Sequence, residues 1–429
     1  MFRRLLADPK ARRWIGWTAL ASAFVLVNFH RVSTAVLAER LAAVFETTGA
    51  GLGLLHSAFF YVYAPMQVFA GVVADRLGTR RVATTGSAVM GVGVVWFALS
   101  PGYLQGLLAR VLLGAGGSVL YIATLRYCAN WYRADQFATL TGLTLAASAV
   151  GGLFAATPLA LLVAAVGWRT ALLAVGGVGF VFTAAVFVLV RDSPAAAGLP
   201  AIEGTPRTPE QSLAEVLAGV RRIAAERETW IMGVMLFFAT GINFTVLGLW
   251  GVPYVVQAYG VPVETASLYA LVGNAGLVVG SPVLGWLSDR IGRRTGIVLT
   301  SGAVYFLAYL SIVLLGTPPL WYVGAVFFLV MFLLGGLTLT YTVIKERHAA
   351  AHSGTATGTL NAMAFLGAAV LPGVMGYALD VFWTGETAGG SRVYTLFGYR
   401  VAFTIAAVSA LVAVGCAAYL HYRVSDRSA

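Results

Sequence analysis

Long apolar runs, each about as long as a membrane-spanning helix, alternate with short polar connections along almost the whole chain. At about 20 residues per span, the pattern predicts six spans in each half. They are predicted at residues 14–40, 51–74, 82–100, 103–129, 136–162 and 167–190, and then at 229–258, 263–288, 295–315, 319–344, 353–379 and 398–422. Because lipid offers backbone groups no hydrogen-bond partners, such runs predict α-helices.

A charged loop occurs once in each half, between two apolar runs. It reads Gly71-Val-Val-Ala-Asp75-Arg76-Leu-Gly78-Thr-Arg80-Arg81, and again Gly285-Trp-Leu-Ser-Asp289-Arg290-Ile-Gly292-Arg293-Arg294. The two aspartates are separated by half of the 429-residue chain. The repeat predicts an all-α polytopic membrane protein of two pseudosymmetric six-helix bundles, at residues 1–190 and 229–429.

Two connections are longer than the others. Residues 191–228 are predicted to form a linker with an amphipathic helix, because apolar residues at 213, 216, 217, 220 and 223 share one helical face. We expect this helix to lie along the membrane surface. Segment 382–397 is expected to be a flexible loop, since it contains Gly385, Gly389 and Gly390.

Composition excludes a water-soluble protein. Hydrophobic residues make up 59% of the chain and charged residues only 10%, whereas soluble domains have about 25% charged residues. The net charge of +11 does not indicate nucleic acid, because the basic residues cluster in loops. One set of loops and tails holds 21 of them and the other set four, so the positive-inside rule places both termini in the cytoplasm. We expect a bacterial inner (plasma) membrane protein.

Two half-chains with this loop resemble the major facilitator superfamily. The exit of the sixth span, Val190-Arg191-Asp192-Ser193-Pro194 followed by Gly198-Leu199-Pro200-Ala-Ile-Glu203, is similar to that of the organophosphate:phosphate antiporters. So are Ser353-Gly354-Thr355-Ala356-Thr357-Gly358 and the pair Arg126 and Trp131. The resemblance implies a phosphate-binding arginine in each half; Arg31 matches the first, but Phe244 stands at the second and Ser148 replaces a histidine.

Arg31 is the strongest candidate for binding a solute, because a guanidinium at mid-depth of a span is rarely retained without a function. Its planar fork suits a carboxylate or a phosphate, although a structural arginine bonded to helix carbonyls is the alternative. In the second span, His56, Phe60, Tyr63 and Gln67 have helical spacing and form one stripe. The full set of candidate substrate-binding residues is Arg31, His30, Tyr63, Gln67, Arg126, Asn243, Trp250, Asn274, Tyr341 and Asn361.

The repeated loops indicate a gate, whose aspartates are expected to pair with arginines and helix N-termini. The candidate gating residues are Asp75, Arg76, Arg80, Arg110, Asp289, Arg290, Arg293 and Glu346. Arg110 begins the run Arg110-x-x-x-Gly114-x-Gly116, which is similar to a superfamily motif near the cytoplasmic charge network.

These features predict a secondary transporter of a small organic anion that works by rocker-switch alternating access. Every carboxylate falls at a span end or in a loop, so only His30 and His56 could titrate inside the membrane near neutral pH. This favours anion exchange or facilitated diffusion over carboxylate-driven symport, with protons or a counter-anion as the coupling species left open. The alternatives are an exporter of larger apolar compounds or siderophores and a transporter-like membrane sensor.

We expect a monomer in the lipid bilayer with a small-molecule substrate, without cofactor, metal or nucleic acid. The chain shows no metal-ligand cluster and no nucleophile–base spacing within the predicted spans, so an enzyme is not expected.

Overall fold

A computed structural model of the protein describes residues 8–133, 136–200, 202, 204–205, 213–347 and 350–425. Within these residues, eleven helices are long and apolar enough to cross a membrane, and a bent pair, Thr139–Phe154 with Thr157–Val166, makes twelve when it is taken as one span. The prediction of an all-α membrane protein is confirmed.

The twelve spans follow the predicted boundaries closely. In the first half, the helices of spans 1 to 6 are Pro9–Val32 with Thr34–Val44, Gly49–Leu77, Thr79–Leu99, Tyr103–Ser118 with Leu120–Trp131, Phe137–Phe154 with Thr157–Val166, and Trp168–Leu189. In the second half, those of spans 7 to 12 are Arg227–Thr245 with Gly251–Tyr259, Val263–Ile291, Arg294–Leu315, Leu320–Leu337 with Thr340–Arg347, Ala350–Val381, and Leu396–Ser425.

Several spans are interrupted, and the interruption in span 7 has a clear local cause. Residues Val246–Trp250 form a turn of π-helix, and Pro253 lies one turn later. Proline has no N–H for the carbonyl of residue 249, and its ring clashes with that carbonyl. The preceding turn therefore widens, which is a common way for a helix to absorb such a disruption.

The connection between spans 11 and 12 is a folded β-hairpin, so the prediction of a flexible loop there was wrong. Strands β1 (Trp383–Ala388) and β2 (Ser391–Tyr394) pair antiparallel, with Thr387 opposite Arg392. Gly389 and Gly390 form the turn with φ of 57° and 84°, values that hairpin turns require and that glycine adopts without strain. The glycines that suggested flexibility therefore specify a tight turn.

A side chain of span 7 fastens this hairpin to the second half. Gln257 accepts a hydrogen bond from the Tyr394 backbone N–H at 3.1 Å and donates one to the Arg392 carbonyl at 3.2 Å. We call the membrane face that carries β1 and β2 the hairpin face. The opposite face, which carries the 191–228 connection, is the linker face.

The predicted amphipathic stretch of the linker is a helix, Leu213–Ala224. Its Gly219 lies against Thr355 of span 11. Ile223 is buried, whereas Leu213 and Leu217 are exposed. The apolar face is therefore divided between a contact with the helical bundle and an exposed surface, and its position along a membrane remains a prediction.

Spans 2 and 11 form the most extensive contact between the two halves. At the hairpin face their backbones touch directly, because a Cβ on Gly376 would overlap the carbonyl oxygen of Gly49 and a Cβ on Gly53 would overlap that of Pro372. We call this contact of Gly49, Gly53, Pro372 and Gly376 the glycine seam. Small residues allow such close helix approach in membranes.

Asp380 closes the end of the glycine seam. Its carboxylate oxygens accept hydrogen bonds from the backbone N–H groups of Gly49 and Ala50, at 2.7 and 2.8 Å. These are the first residues of span 2, where the unpaired N–H groups and the helix dipole favour an anion. Arg392 of the hairpin donates to the same carboxylate at 3.0 Å. The hairpin face is thus closed by a charged contact between the halves.

Close helix packing within one half gives a test of the fold. A methyl group at Gly276 of span 8 would overlap the carbonyl oxygen of Phe328 in span 10, whereas Gly285 of the same span has open space around it. Gly276→Ala should lower the thermal unfolding midpoint of the purified protein, because overpacking costs about 1–3 kcal/mol. Gly285→Ala is the matched control and should leave the midpoint unchanged or slightly higher. Equal midpoints for the two variants would contradict this packing of spans 8 and 10.

Candidate binding site between the two halves

One side of span 2 faces the second half along most of its length. The predicted stripe of His56, Phe60, Tyr63 and Gln67 is buried in this interface, and each of these residues is at most 4% exposed. His56 lies against Gly248 of span 7, Phe60 and Tyr63 contact Phe365 of span 11, and Gln67 bonds to Asn361 of span 11. From His56 to Gln67, successive residues of the stripe therefore make contacts at successive depths, from the hairpin face towards the linker face.

Arg31 lies at the centre of this interface. Its guanidinium carbon is 4.3 Å from the centroid of the Tyr63 ring and 4.7 Å from that of Phe365, so aromatic rings from both halves hold it. The residue is only 6% exposed, and its Nε and Nη2 have no hydrogen-bond partner among the described residues. Cation–π contact holds the side chain, and two of its nitrogens, with three N–H groups between them, have no partner among the described residues.

Arg110 is also buried, but each of its three guanidinium nitrogens has a hydrogen-bond partner. It is 2% exposed and donates to the backbone carbonyls of His30, His56 and Leu55, at 2.8, 3.3 and 3.4 Å. These bonds tie span 4 to spans 1 and 2 near the centre of the first half. The expectation that Arg110 lies near the charges of the repeated loops was therefore wrong, because carbonyl oxygens inside the membrane satisfy it instead.

A chain of hydrogen bonds crosses between the halves beside Arg31. Tyr341 donates to Asn361 at 3.1 Å, Asn361 donates to Gln67 at 2.9 Å, and Gln67 donates to the Ser118 carbonyl at 3.1 Å. We call these residues the amide bridge. Each of the two amide groups has a second N–H beyond the one used in the bridge, so the bridge can offer further donors to a solute.

Aromatic rings close the site towards the hairpin face. The rings of Phe60, Phe244 and Phe365 lie with centroids 5.1 to 5.9 Å apart, and they come from spans 2, 7 and 11. Phe244 is the residue that stands where the resemblance implies an arginine. Phe365 was missed from the sequence, because an apolar residue in a spanning helix gives no signal that distinguishes a site from ordinary packing.

The ion pairs found among the described residues lie at span ends, away from Arg31. They join Asp75 with Arg126, Asp289 and Glu346 with Arg294, Glu228 with Arg347, and Asp380 with Arg392. No group of three or more His, Cys, Asp or Glu able to hold a metal ion occurs in the described part of the chain. The positive charge of Arg31 is therefore held by aromatic rings and not by a carboxylate.

The two repeated loops make charged contacts within their own halves. Asp75 pairs with Arg126 at 3.0 Å, so the structure pairs Arg126 with the gate loop and does not place it in the binding site as expected. Asp289 pairs with Arg294 at 3.4 Å, and Arg294 also pairs with Glu346 at 2.9 Å. These contacts agree with the expected pairing of aspartate and arginine, while a gating role remains a prediction.

The other candidate gate residues have separate environments. The Arg80 Nε donates to the Phe187 carbonyl at the end of span 6, at 2.7 Å. Arg290 lies over the ring of Trp286 at 5.3 Å. Arg76 and Arg293 are exposed. Arg76 and Arg293 lie at the ends of spans 2 and 8, as the repeated loops predict.

Two second-half candidates lie apart from Arg31. Trp250 donates to the Pro372 carbonyl at 3.2 Å and packs against Tyr394 of the hairpin, so it joins spans 7 and 11 near the hairpin face. Its expected contact with a solute remains a prediction. Asn274 donates to the Ala270 carbonyl of its own span at 2.9 Å and faces Gly152 of span 5.

Two further candidates remain predictions. Asn243 is buried just before the π-helical turn of span 7. The His30 ring packs edge-on against Phe29, while its backbone carbonyl accepts a hydrogen bond from Arg110.

Known proteins of similar sequence are transporters and transporter-like sensors. The chain is 28% identical over 374 residues to the "Probable sulfoacetate transporter SauU" of Cupriavidus necator, covering 83% of this chain and 85% of that protein. It is 25% identical over 398 residues to the "Membrane sensor protein UhpC" of Escherichia coli, covering 87% and 86%. It is 24% identical over 373 residues to a hexuronate transporter of Bacillus subtilis, covering 83% and 84%.

The fold is shared with solved transporter structures. A bacterial homologue of the human lysosomal transporter Spinster, in an inward-facing and unoccupied conformation, superposes with a TM-score of 0.78 at 18% identity, covering 96% of this chain and 97% of that one. The profile of the Major Facilitator Superfamily matches residues 16–372 and 235–428. The chain is therefore an integral membrane protein that belongs to the Major Facilitator Superfamily.

Proposed function

We propose that this protein is a secondary transporter that carries a small organic anion, with the anionic group bound by Arg31. The observation that carries this proposal is the buried guanidinium between the halves, two nitrogens of which have no hydrogen-bond partner among the described residues. A charged side chain at mid-membrane costs at least about 2.5–3.5 kcal/mol on insertion scales. An anionic solute would offset that cost by accepting charge-assisted hydrogen bonds.

The other groups around Arg31 favour a solute with further hydrogen-bond acceptors. The unused N–H groups of Gln67 and Asn361 in the amide bridge are donors, whereas Phe60, Phe244 and Phe365 present apolar surfaces. A carboxylate or sulfonate with a second oxygen-bearing group matches this arrangement. Relatives named for sulfoacetate and hexuronate transport are consistent with such solutes.

Transport would proceed by alternating access. The hairpin face is closed by the glycine seam and Asp380, so this conformation would exchange solute through the linker face. The excess of arginine in the linker-face loops would place that face in the cytoplasm of a bacterium. In the opposite conformation, spans 2 and 11 would separate at the glycine seam and expose Arg31 to the other side.

A membrane sensor is the second candidate, because one relative is named a membrane sensor protein. A sensor could use the same Arg31 site to recognise its ligand without carrying it across the membrane. Flux measured in proteoliposomes separates the two functions. Counterflow of a bound solute would establish transport, whereas binding without flux would favour the sensor.

The Arg31 site can be tested by binding and by flux. Purified protein is first screened by thermal shift against carboxylates, sulfonates, sugar acids and phosphate esters. Arg31→Ala should weaken binding of the best solute about 10- to 100-fold, because hydrogen bonds to a charged group contribute about 1.5–3 kcal/mol. Arg31→Lys should bind weakly as well, since lysine lacks the planar fork.

Arg169→Ala is the matched control, because Arg169 is an exposed arginine stacked on Trp168 at 4.4 Å. It should bind and transport as the unmodified protein does. Unchanged binding in Arg31→Ala would show that the anion is recognised elsewhere.

The glycine seam gives a test of alternating access. Gly376→Ala places a methyl group where the Gly49 carbonyl lies, so the hairpin face should no longer close and uptake should fall at least about tenfold. Gly373→Ala is the matched control in the same span, because nothing lies within 4 Å of its Cβ position. Uptake and the detergent elution profile are measured for both variants. Normal uptake by Gly376→Ala would refute closure through this contact.

A further inference from the structure

His56 has an environment that the proposed anion site does not explain. The side chain is fully buried, and neither Nδ1 nor Nε2 has a hydrogen-bond partner among the described residues. Leaving buried polar atoms without partners is unfavourable, and such groups in a native protein call for an explanation. Packing alone would be served better by an apolar side chain of similar size.

The imidazole lies at the boundary between the two halves, on the hairpin side of Arg31. A Cβ on Gly248, in the π-helical turn of span 7, would lie 3.2 Å from the His56 Cε1 and 3.4 Å from its Nε2. The Phe60 ring of span 2 covers the imidazole on the side of the Phe244 and Phe365 rings, and the centroids of the His56 and Phe60 rings are 5.4 Å apart. The backbone of span 7 therefore covers the ring in this conformation, in which the hairpin face is closed.

The ionisable neighbours of His56 among the described residues are basic side chains. From span 4, Arg110 donates to the backbone carbonyl of His56 itself. From span 1 come Arg31, whose backbone carbonyl lies near Gly248, and its neighbour His30. The facing stretch of span 7, Val246–Trp250, has no ionisable side chain. An imidazolium enclosed here would meet the positive charges of Arg31 and Arg110, and neither ring nitrogen has a hydrogen-bond partner among the described residues, so the closed interface favours the neutral ring.

We propose that His56 is a proton-binding site that is available only when the hairpin face is open. When span 7 moves away from span 2, water reaches the imidazole, which titrates around pH 6.5 when it is exposed. A ligand that binds one conformation stabilises that conformation. Protonation of His56 therefore holds the hairpin face open, and the proton must leave before that face closes.

This inference rests on the proposed alternating access, and it predicts a pH effect of defined sign. Acidification on the hairpin side should slow the closing of that face and increase the open population. For a single site titrating near pH 6.5, the open-to-closed ratio should rise about tenfold between pH 7.5 and pH 5.5. A proton carried together with the solute would instead promote closure.

The test reads the conformation directly. Ser267 is fully buried and hydrogen-bonded to Thr157 across the interface between the halves, at 3.2 Å. Ser267→Cys is made with Cys128 and Cys416 replaced by alanine, and the labelling rate with a membrane-impermeant thiol reagent is measured from pH 5.5 to pH 8. The same measurement is made with His56→Phe and with His56→Gln added.

The rate with His56 is divided by the rate with each His56 variant at every pH, which removes the titration of the thiol itself. We expect this quotient to rise about tenfold towards pH 5.5 for both variants. A quotient that is flat with pH, or that falls towards low pH, would overturn the proposal. Labelling needs no solute. An absence of flux would therefore count against transport, whereas the labelling experiment would still decide whether His56 is the proton site.

Discussion

The structure depends on how a buried positive charge is satisfied in a membrane. Arg31 and Arg110 are both almost fully buried in the first half, yet the groups that surround their guanidinium ions differ. Three backbone carbonyls accept hydrogen bonds from Arg110, whereas Arg31 lies between aromatic rings with two nitrogens free. Each guanidinium nitrogen of Arg110 has a carbonyl partner, so Arg110 fastens helices together, whereas the unpartnered nitrogens of Arg31 are the reason we propose it as the group that binds a solute.

Span 2 contacts each of the groups that form the interface between the two halves. Successive residues of its buried stripe meet span 7, the aromatic rings, Arg31 and the amide bridge. A rigid helix with partners at each level transmits a displacement at one level to the others. In the proposed alternating access, opening at Gly49 would therefore change the surroundings of His56 and Tyr63 together.

The sequence was sufficient for the architecture, because span length, the repeated Asp-Arg loops and the stripe of span 2 follow from local patterns of polarity. It also drew attention to Arg31, which the structure buries between the two halves, since an arginine inside an apolar run is conspicuous. Long-range contacts could not be predicted in the same way. Arg110 and Arg126 have equally unusual positions in the sequence, and only the three-dimensional structure shows that carbonyls satisfy one and Asp75 the other. The hairpin was missed because glycines are typical of both flexible loops and tight turns.

The glycine seam has a consequence for how fast the two halves can separate. At Gly49 and Gly376 the contact is made by backbone atoms alone, so no side chain there has to choose a rotamer when the halves meet. Ordering a long side chain at an interface costs about 0.5–1.5 kcal/mol, and this entropy loss is absent at the seam. In the proposed alternating access, the contact would therefore form and break with little loss of side-chain entropy, and the hydrogen bonds of Asp380 would hold it closed.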